Sequence, residues 1–189
     1  MLLLIGRLKY PPKILSSIMG LLDEMDGEMQ EEKTLSVKRD SRSDRIMERY
    51  LNCLSMDRLW CSIDAFDGIE IYAGDIQCFI MKLAQSPELV KEKDTGHFLT
   101  TMIKKAYVLG DNEFHIDVSN IDKKLEGIAY FLDGTEERRI RLIIDGDVGS
   151  YAGRNSSFID YTFNGKVRDW SAWGSCNCNY VFNDKTGTG

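Results

Sequence analysis

The sequence predicts an α+β protein, with an α/β part over residues 1–120 followed by a β-only part over 121–189 made of about three stacked coils. Three observations predict it. Before residue 110, apolar residues recur at helical spacing, as in Ile14, Ile18, Leu21, Leu22, Met25 and Met29. After residue 139 they alternate instead, in Ile140, Leu142, Ile144 and then Ile159, Tyr161, Phe163, as strands with one buried face require. Finally, Asp145 to Lys166 is repeated 19 positions later as Asn164 to Lys185.

Taken in order, Met1 to Ile5 is an apolar stretch read as a strand or an upstream extension. Arg7 and Lys9 follow at once, so it is too short for a membrane span or a signal-peptide core. Pro11 and Pro12 open the first helical pattern. The charged run Glu28 to Asp44 reads as a connection or an exposed helix end. Ser43 is placed to cap a second helix that buries Ile46, Met47, Tyr50, Leu51 and Leu54. Leu59 to Tyr72 reads as a β-hairpin turning at Asp67-Gly68. Ser86-Pro87-Glu88 signals a helix start, with a break near Gly96, a buried face at Phe98, Leu99, Met102, Ile103 and Ala106, and a stop at Gly110. Glu113 to Val118 alternates as a strand.

In the repeat, Gly146 matches Gly165, Val148 matches Val167, Ser156 matches Ser175, Tyr161 matches Tyr180, and Phe163 matches Phe182. A weaker preceding copy aligns Gly127 with Gly146, Gly134 with Gly153 and Ile140 with Ile159. A 19-residue unit cannot bury its own apolar row, so the units are expected to stack as a solenoid with glycines at the corners. An antiparallel β meander is the alternative, because Asp145-Gly146 and Asn164-Gly165 are also strong hairpin turns.

The spacing Gly146, Gly149, Gly153 resembles the repeat of the GXGXG β-helix domain found at the C-terminus of the glutamate synthase large subunit. The C subunit of formylmethanofuran dehydrogenase carries the same kind of repeat. The resemblance covers about the last third of the chain. It implies a short right-handed parallel β-helix that serves as a packing scaffold and carries no catalytic residue of its own.

A net charge of -6 argues against general nucleic-acid binding, which needs a basic face. The basic groups Lys38, Arg39, Arg42, Arg45 and Arg138, Arg139, Arg141 are interleaved with acids and read as solvated faces. Five dispersed cysteines without a secretory segment favour reduced thiols in the cytoplasm. Cys53, Cys61 and Cys78 read as core residues.

Cys176 and Cys178 can share a soft metal or form a redox couple, although a closed zinc site needs further ligands. Asp64, Asp67, Glu70 and Asp75 gather around the expected hairpin, where they either hold a divalent cation or simply face water. His115 and Asp117 share a strand face, and Asp145, Asp147 and Asp160 invite a calcium reading. Tyr151, Arg154, Arg168, Trp170 and Trp173 form an aromatic and arginine-rich set: if the rings face outward they mark a docking patch, since such side chains dominate interface energetics, and if inward they are core. The expectation is therefore a cytoplasmic, non-catalytic scaffold or assembly protein that binds a protein partner or a second copy of itself. It has no nucleic-acid or membrane partner and no cofactor. The alternative is a small enzyme using a divalent metal or redox thiols, with Asp64, Asp67, His115, Cys176 and Cys178 between the two parts.

Overall fold

The computed structural model describes residues 42–55 and 63–184. The expected N-terminal strand, the helix opened by Pro11 and Pro12, most of the charged run, and Cys61 lie outside the described residues.

Helix α1 spans 42–55. It buries Ile46 and Tyr50, four residues apart on one face, while Met47 and Leu54 pack partly and Leu51 faces solvent. Ser43 does not cap it, because residue 42 is already helical, and the Ser43 hydroxyl is buried without a hydrogen-bond partner. The expected hairpin at 59–72 is overturned over its described part. Ile63–Phe66 is a 3-10 turn, closed by Asp67 N donating to Asp64 O and Ile69 N to Phe66 O. Gly68 does take a turn conformation, with φ +72°, but it leads into unpaired extended chain, and no strand precedes Glu113 among the described residues.

Helix α2, Ala73–Ala84, was not anticipated, although Ile76, Phe79, Ile80 and Leu83 carry the helical spacing and are all buried. Two carboxylates hold its first turn: Asp75 accepts from Tyr72 N at 2.9 Å and Asp111 from Ala73 N at 2.8 Å. Cys78 on this helix is exposed, which corrects its reading as a core residue, whereas Cys53 packs against the core. Pro87–Leu89 is a separate 3-10 turn, so helix α3 starts later than the Ser86-Pro87 signal implied and runs Glu92–Leu109. It ends at Gly110, φ +121°. Gly96 does not break α3. A Cβ there would lie 1.9 Å from Glu126 O, so glycine is what lets another stretch of backbone lie against the helix. Tyr50 sits at the centre of the helical core, with Phe79 and Phe98 each 5.2 Å away ring to ring, and its hydroxyl donates to Leu89 O.

Strands β1 (Glu113–Asp117), β2 (Ile140–Asp145), β3 (Ile159–Phe163) and β4 (Asn179–Phe182) form one sheet in chain order. Every pair is parallel, which overturns the antiparallel meander. Ile140 pairs with Ile159, Tyr161 with Tyr180 and Phe163 with Phe182. The last two pairs stack their rings at 4.9 and 5.3 Å, close to the spacing between neighbouring strands. Phe114, Ile116, Ile140, Leu142, Ile144, Ile159, Tyr161 and Phe163 are buried in one core shared with the helices.

Parallel strands usually need a helical crossover between them. Here the connections after β2 and β3 contain no helix and lie in register on each other instead. Val148 bridges Val167 and Ser157 bridges Cys176, while Tyr151 N donates to Asp169 O and Asn155 N to Trp173 O. These bonds satisfy backbone groups that an isolated loop would leave to water. The segment before β2 joins the same pattern: Gly127 N donates to Ser150 O, Phe131 N to Arg154 O and Gly153 N to Ile128 O. Asp133 is bridged to Ser157, so this corner is level with residues 24 positions on. The expected alignments of Gly127 with Gly146 and of Gly134 with Gly153 are therefore corrected, while that of Ile140 with Ile159 stands. Residues 134–139 take up the difference.

The corners are not built on glycine alone. Positive φ recurs at Gly127, Ala129 and Phe131, at Tyr151, Gly153 and Asn155, and at Trp170, Ala172 and Gly174. Each non-glycine residue in that conformation costs on the order of 1 kcal/mol, which the hydrogen bonds between corners offset.

Candidate functional site

Alternating left-handed residues turn the corner backbone so that the residues between them project. Tyr130, Arg154 and Trp173 occupy equivalent positions in the three corners, and the structure stacks them as a column. The Arg154 guanidinium lies 5.9 Å from the Tyr130 ring centre, 5.1 Å from that of Tyr151 and 4.6 Å from that of Trp173. Its Nε is buried with no hydrogen-bond partner. Trp170 stands edge-on to Trp173 at 6.3 Å, and both are more than half exposed, at 58% and 54%. At the other end of the row Phe131 is exposed and edge-on to Tyr130 at 4.5 Å.

Of the residues singled out from sequence, Tyr151, Arg154, Trp170 and Trp173 thus come together. Arg168 is exposed near the last corner, where its carbonyl accepts from Ser171 Oγ. The N-terminal half of α3 adds Lys93 and His97, which with Glu126, Gly127, Tyr130, Tyr151 and Arg154 line a cleft of about 260 Å³. His97 is buried, its ring edge-on to Tyr130 at 5.5 Å. Burial, reinforced by the Lys93 charge, lowers its pKa below the ordinary histidine value and favours the neutral ring at pH 7. Lys93, His97, Glu126, Tyr130 and Phe131 escaped sequence reasoning. The available signal was the left-handed corner at 127–131, hidden because its register with the next corner is 24 and not 19.

The other candidates are dispersed into local pairs. Asp75 caps α2 and pairs with Arg42, and Glu70 accepts from Tyr72 OH. His115 bonds Asp145 across the strands, while Asp117 accepts from Ser119 N and Oγ. Asp147 pairs with Lys124, and Asp160 with Arg139. All three sheet carboxyls are held below the ordinary carboxylate range. The Asn164 hydrogen bond does this for Asp145, that of Lys124 for Asp147, and that of Arg139 for Asp160. Cys176 is exposed, and Cys178 is half-buried with its Sγ 3.7 Å from Ser156 Oγ. No three His, Cys, Asp or Glu side chains gather where an ion would sit, among the described residues.

No protein-family model, curated protein or solved structure matches the chain. Among the described residues no helix is long and apolar enough to cross a membrane.

Proposed function

We propose that this chain is a non-catalytic scaffold or assembly protein whose last third is a short right-handed parallel β-helix of the GXGXG kind, and which binds a partner chain or a second copy through the open end of that stack. Three features support the β-helix. The strands are parallel and in chain order, their connections are hydrogen-bonded in register, and parallel crossovers are right-handed in nearly every known case. A cytoplasmic setting fits the free thiols Cys78, Cys176 and Cys178.

One observation carries the docking reading: the final unit leaves its apolar side chains uncovered among the described residues. Trp170 and Trp173 on the last corner, and Val181 (51%) and Phe182 (41%) on the edge strand β4, are all exposed. A strand edge and a pair of exposed tryptophans in the same final unit make a pairing surface, since edge groups seek a partner ladder and large aromatic anchors supply the binding energy. The test is sedimentation of the full chain and of the Trp170→Ala/Trp173→Ala variant over a range of concentrations. The expected result is a concentration-dependent dimer or a stoichiometric co-purifying chain, lost in the variant. A strict monomer without a partner refutes the reading.

A further inference from the structure

Beyond the docking surface, the cleft between α3 and the first two corners has the makings of a ligand site. We propose that it binds a small organic anion, a carboxylate or phosphate ester carried on a planar group, with Lys93 and Arg154 taking the charge and Tyr130 and Tyr151 the plane.

The electrostatics motivate it first. The chain carries a net charge of -6, yet the cleft is lined by two cations and a single acid, Glu126. Among the described residues neither Lys93 nor Arg154 has a carboxylate partner, whereas Lys82, Lys124, Arg139 and Arg141 each have one. A cleft in which cations outnumber acids concentrates the opposite charge. The second point is the state of Arg154. Rings lie against it at 5.1 and 4.6 Å and hold its plane, and its buried Nε–H, with no hydrogen-bond partner, is a donor left unused. A planar fork held in this way matches the two oxygens of a carboxylate or phosphate, and such preorganisation lowers the cost of binding.

Size and walls narrow the ligand. A cleft of about 260 Å³ has room for a small organic molecule and not only for a lone ion. The cleft floor is backbone at Gly127, where a Cβ would approach His97 Cε1 at 3.1 Å. The tyrosine rings offer flat apolar faces, so the anion should be attached to something flat.

The site shares Tyr151 and Arg154 with the docking surface but leaves out Trp170, so the two readings can fail separately. The experiment titrates phenyl phosphate, benzoate, inorganic phosphate and benzylamine into the full chain by calorimetry. The expected result is one saturable site for an aryl anion with a dissociation constant of about 1 mM or tighter. Whichever aryl anion binds more tightly names the head group. Inorganic phosphate, lacking a ring to stack, should bind about tenfold more weakly, and benzylamine should not saturate. Lys93→Ala and Arg154→Gln should each weaken the aryl anion about tenfold, with Trp170→Ala leaving it in place. Lys93 is exposed on a helix, so its removal tests the site even if Arg154→Gln disturbs the corner. The proposal is overturned if neither aryl anion saturates, if benzylamine binds as well as they do, or if Lys93→Ala leaves the affinity within twofold.

Discussion

Replacing Gly96 by alanine should destabilise the protein, against the ordinary rule for helices. Gly96 lies in the first half of α3, and helix propensity alone predicts a gain of about 1 kcal/mol from that change. The new Cβ, however, would sit 1.9 Å from Glu126 O and 2.9 Å from its carbonyl carbon, both backbone atoms that no rotamer change can move aside. The 126–129 segment must then lift from the helix. It is held there by Glu126 N donating to Glu92 O at 3.0 Å, by Ala129 N donating to Thr100 Oγ1 at 2.8 Å, and by the Thr100 hydroxyl proton, shared between Gly96 O at 2.8 Å and Gly127 O at 3.2 Å. Losing two of these in a buried setting costs roughly 1–3 kcal/mol apiece. The net expectation is a loss of about 2–4 kcal/mol, which for a chain of this size lowers the thermal midpoint by roughly 5–15 °C. Urea and thermal unfolding of Gly96→Ala should be compared with Gly74→Ala, where the added Cβ meets nothing within 4 Å and the change should be neutral or slightly stabilising. If Gly96→Ala is as stable as Gly74→Ala, the close approach of the 126–129 backbone to α3 is wrong.

Three further outcomes are expected. Gly165→Ala would place a Cβ 2.2 Å from Gly146 O between successive units, so its urea midpoint should fall well below wild type, and an unchanged midpoint would contradict the register. Tyr161→Phe should cost only about 1 kcal/mol in chemical denaturation, because Ser156 Oγ loses the Tyr161 hydroxyl but still donates to Gly153 O; Tyr161→Ala should cost about 3–5 kcal/mol by emptying the core. On acidification, Asp145, Asp147 and Asp160 have folded pKa values below the ordinary 3.8, so their stabilisation is complete above that value and is lost as pH falls through the lowered ones. A pH series of thermal midpoints should therefore drop below about pH 4, and less steeply in Asp160→Asn, which gives up the Arg139 pair; equal slopes would refute that contribution.

The sheet was legible where residues of one kind recur at one interval. Tyr161 and Tyr180, Phe163 and Phe182, and Val148 and Val167 announce the register because each must stack on its own equivalent. The direction of the strands was less legible, since Asp-Gly and Asn-Gly serve both a hairpin and a corner, and only the long-range bonds separate the two. Helix α2 carried a plain signal in Ile76, Phe79, Ile80 and Leu83, which the neighbouring Asp67-Gly68 turn obscured by suggesting a hairpin. In the candidate site, composition pointed to Tyr151, Arg154, Trp170 and Trp173. No local pattern marks Lys93 or His97, whose place in the cleft depends on how closely α3 approaches the 126–129 backbone, a tertiary distance that only Gly96 hints at.

The repeat is regular where its units face one another and irregular where the first of them faces α3, and the irregularity has a physical use. Residues 134–139 shift the first corner from a 19-residue to a 24-residue offset, and within them Arg138 reaches α3. Its guanidinium lies 3.8 Å from the centre of the Tyr107 ring and donates to Tyr107 O, while Tyr107 OH donates back to Arg138 O at 2.7 Å. Arg139, the next residue, bonds the Asp160 carboxylate of β3, so the inserted stretch ties the helix to one strand and the sheet to the next. A strict 19-residue unit has no residues to spare for this contact. The same displacement brings Tyr130 level with Arg154, completing the column on which the proposed anion cleft depends, while the last unit leaves Trp170, Trp173 and Phe182 exposed.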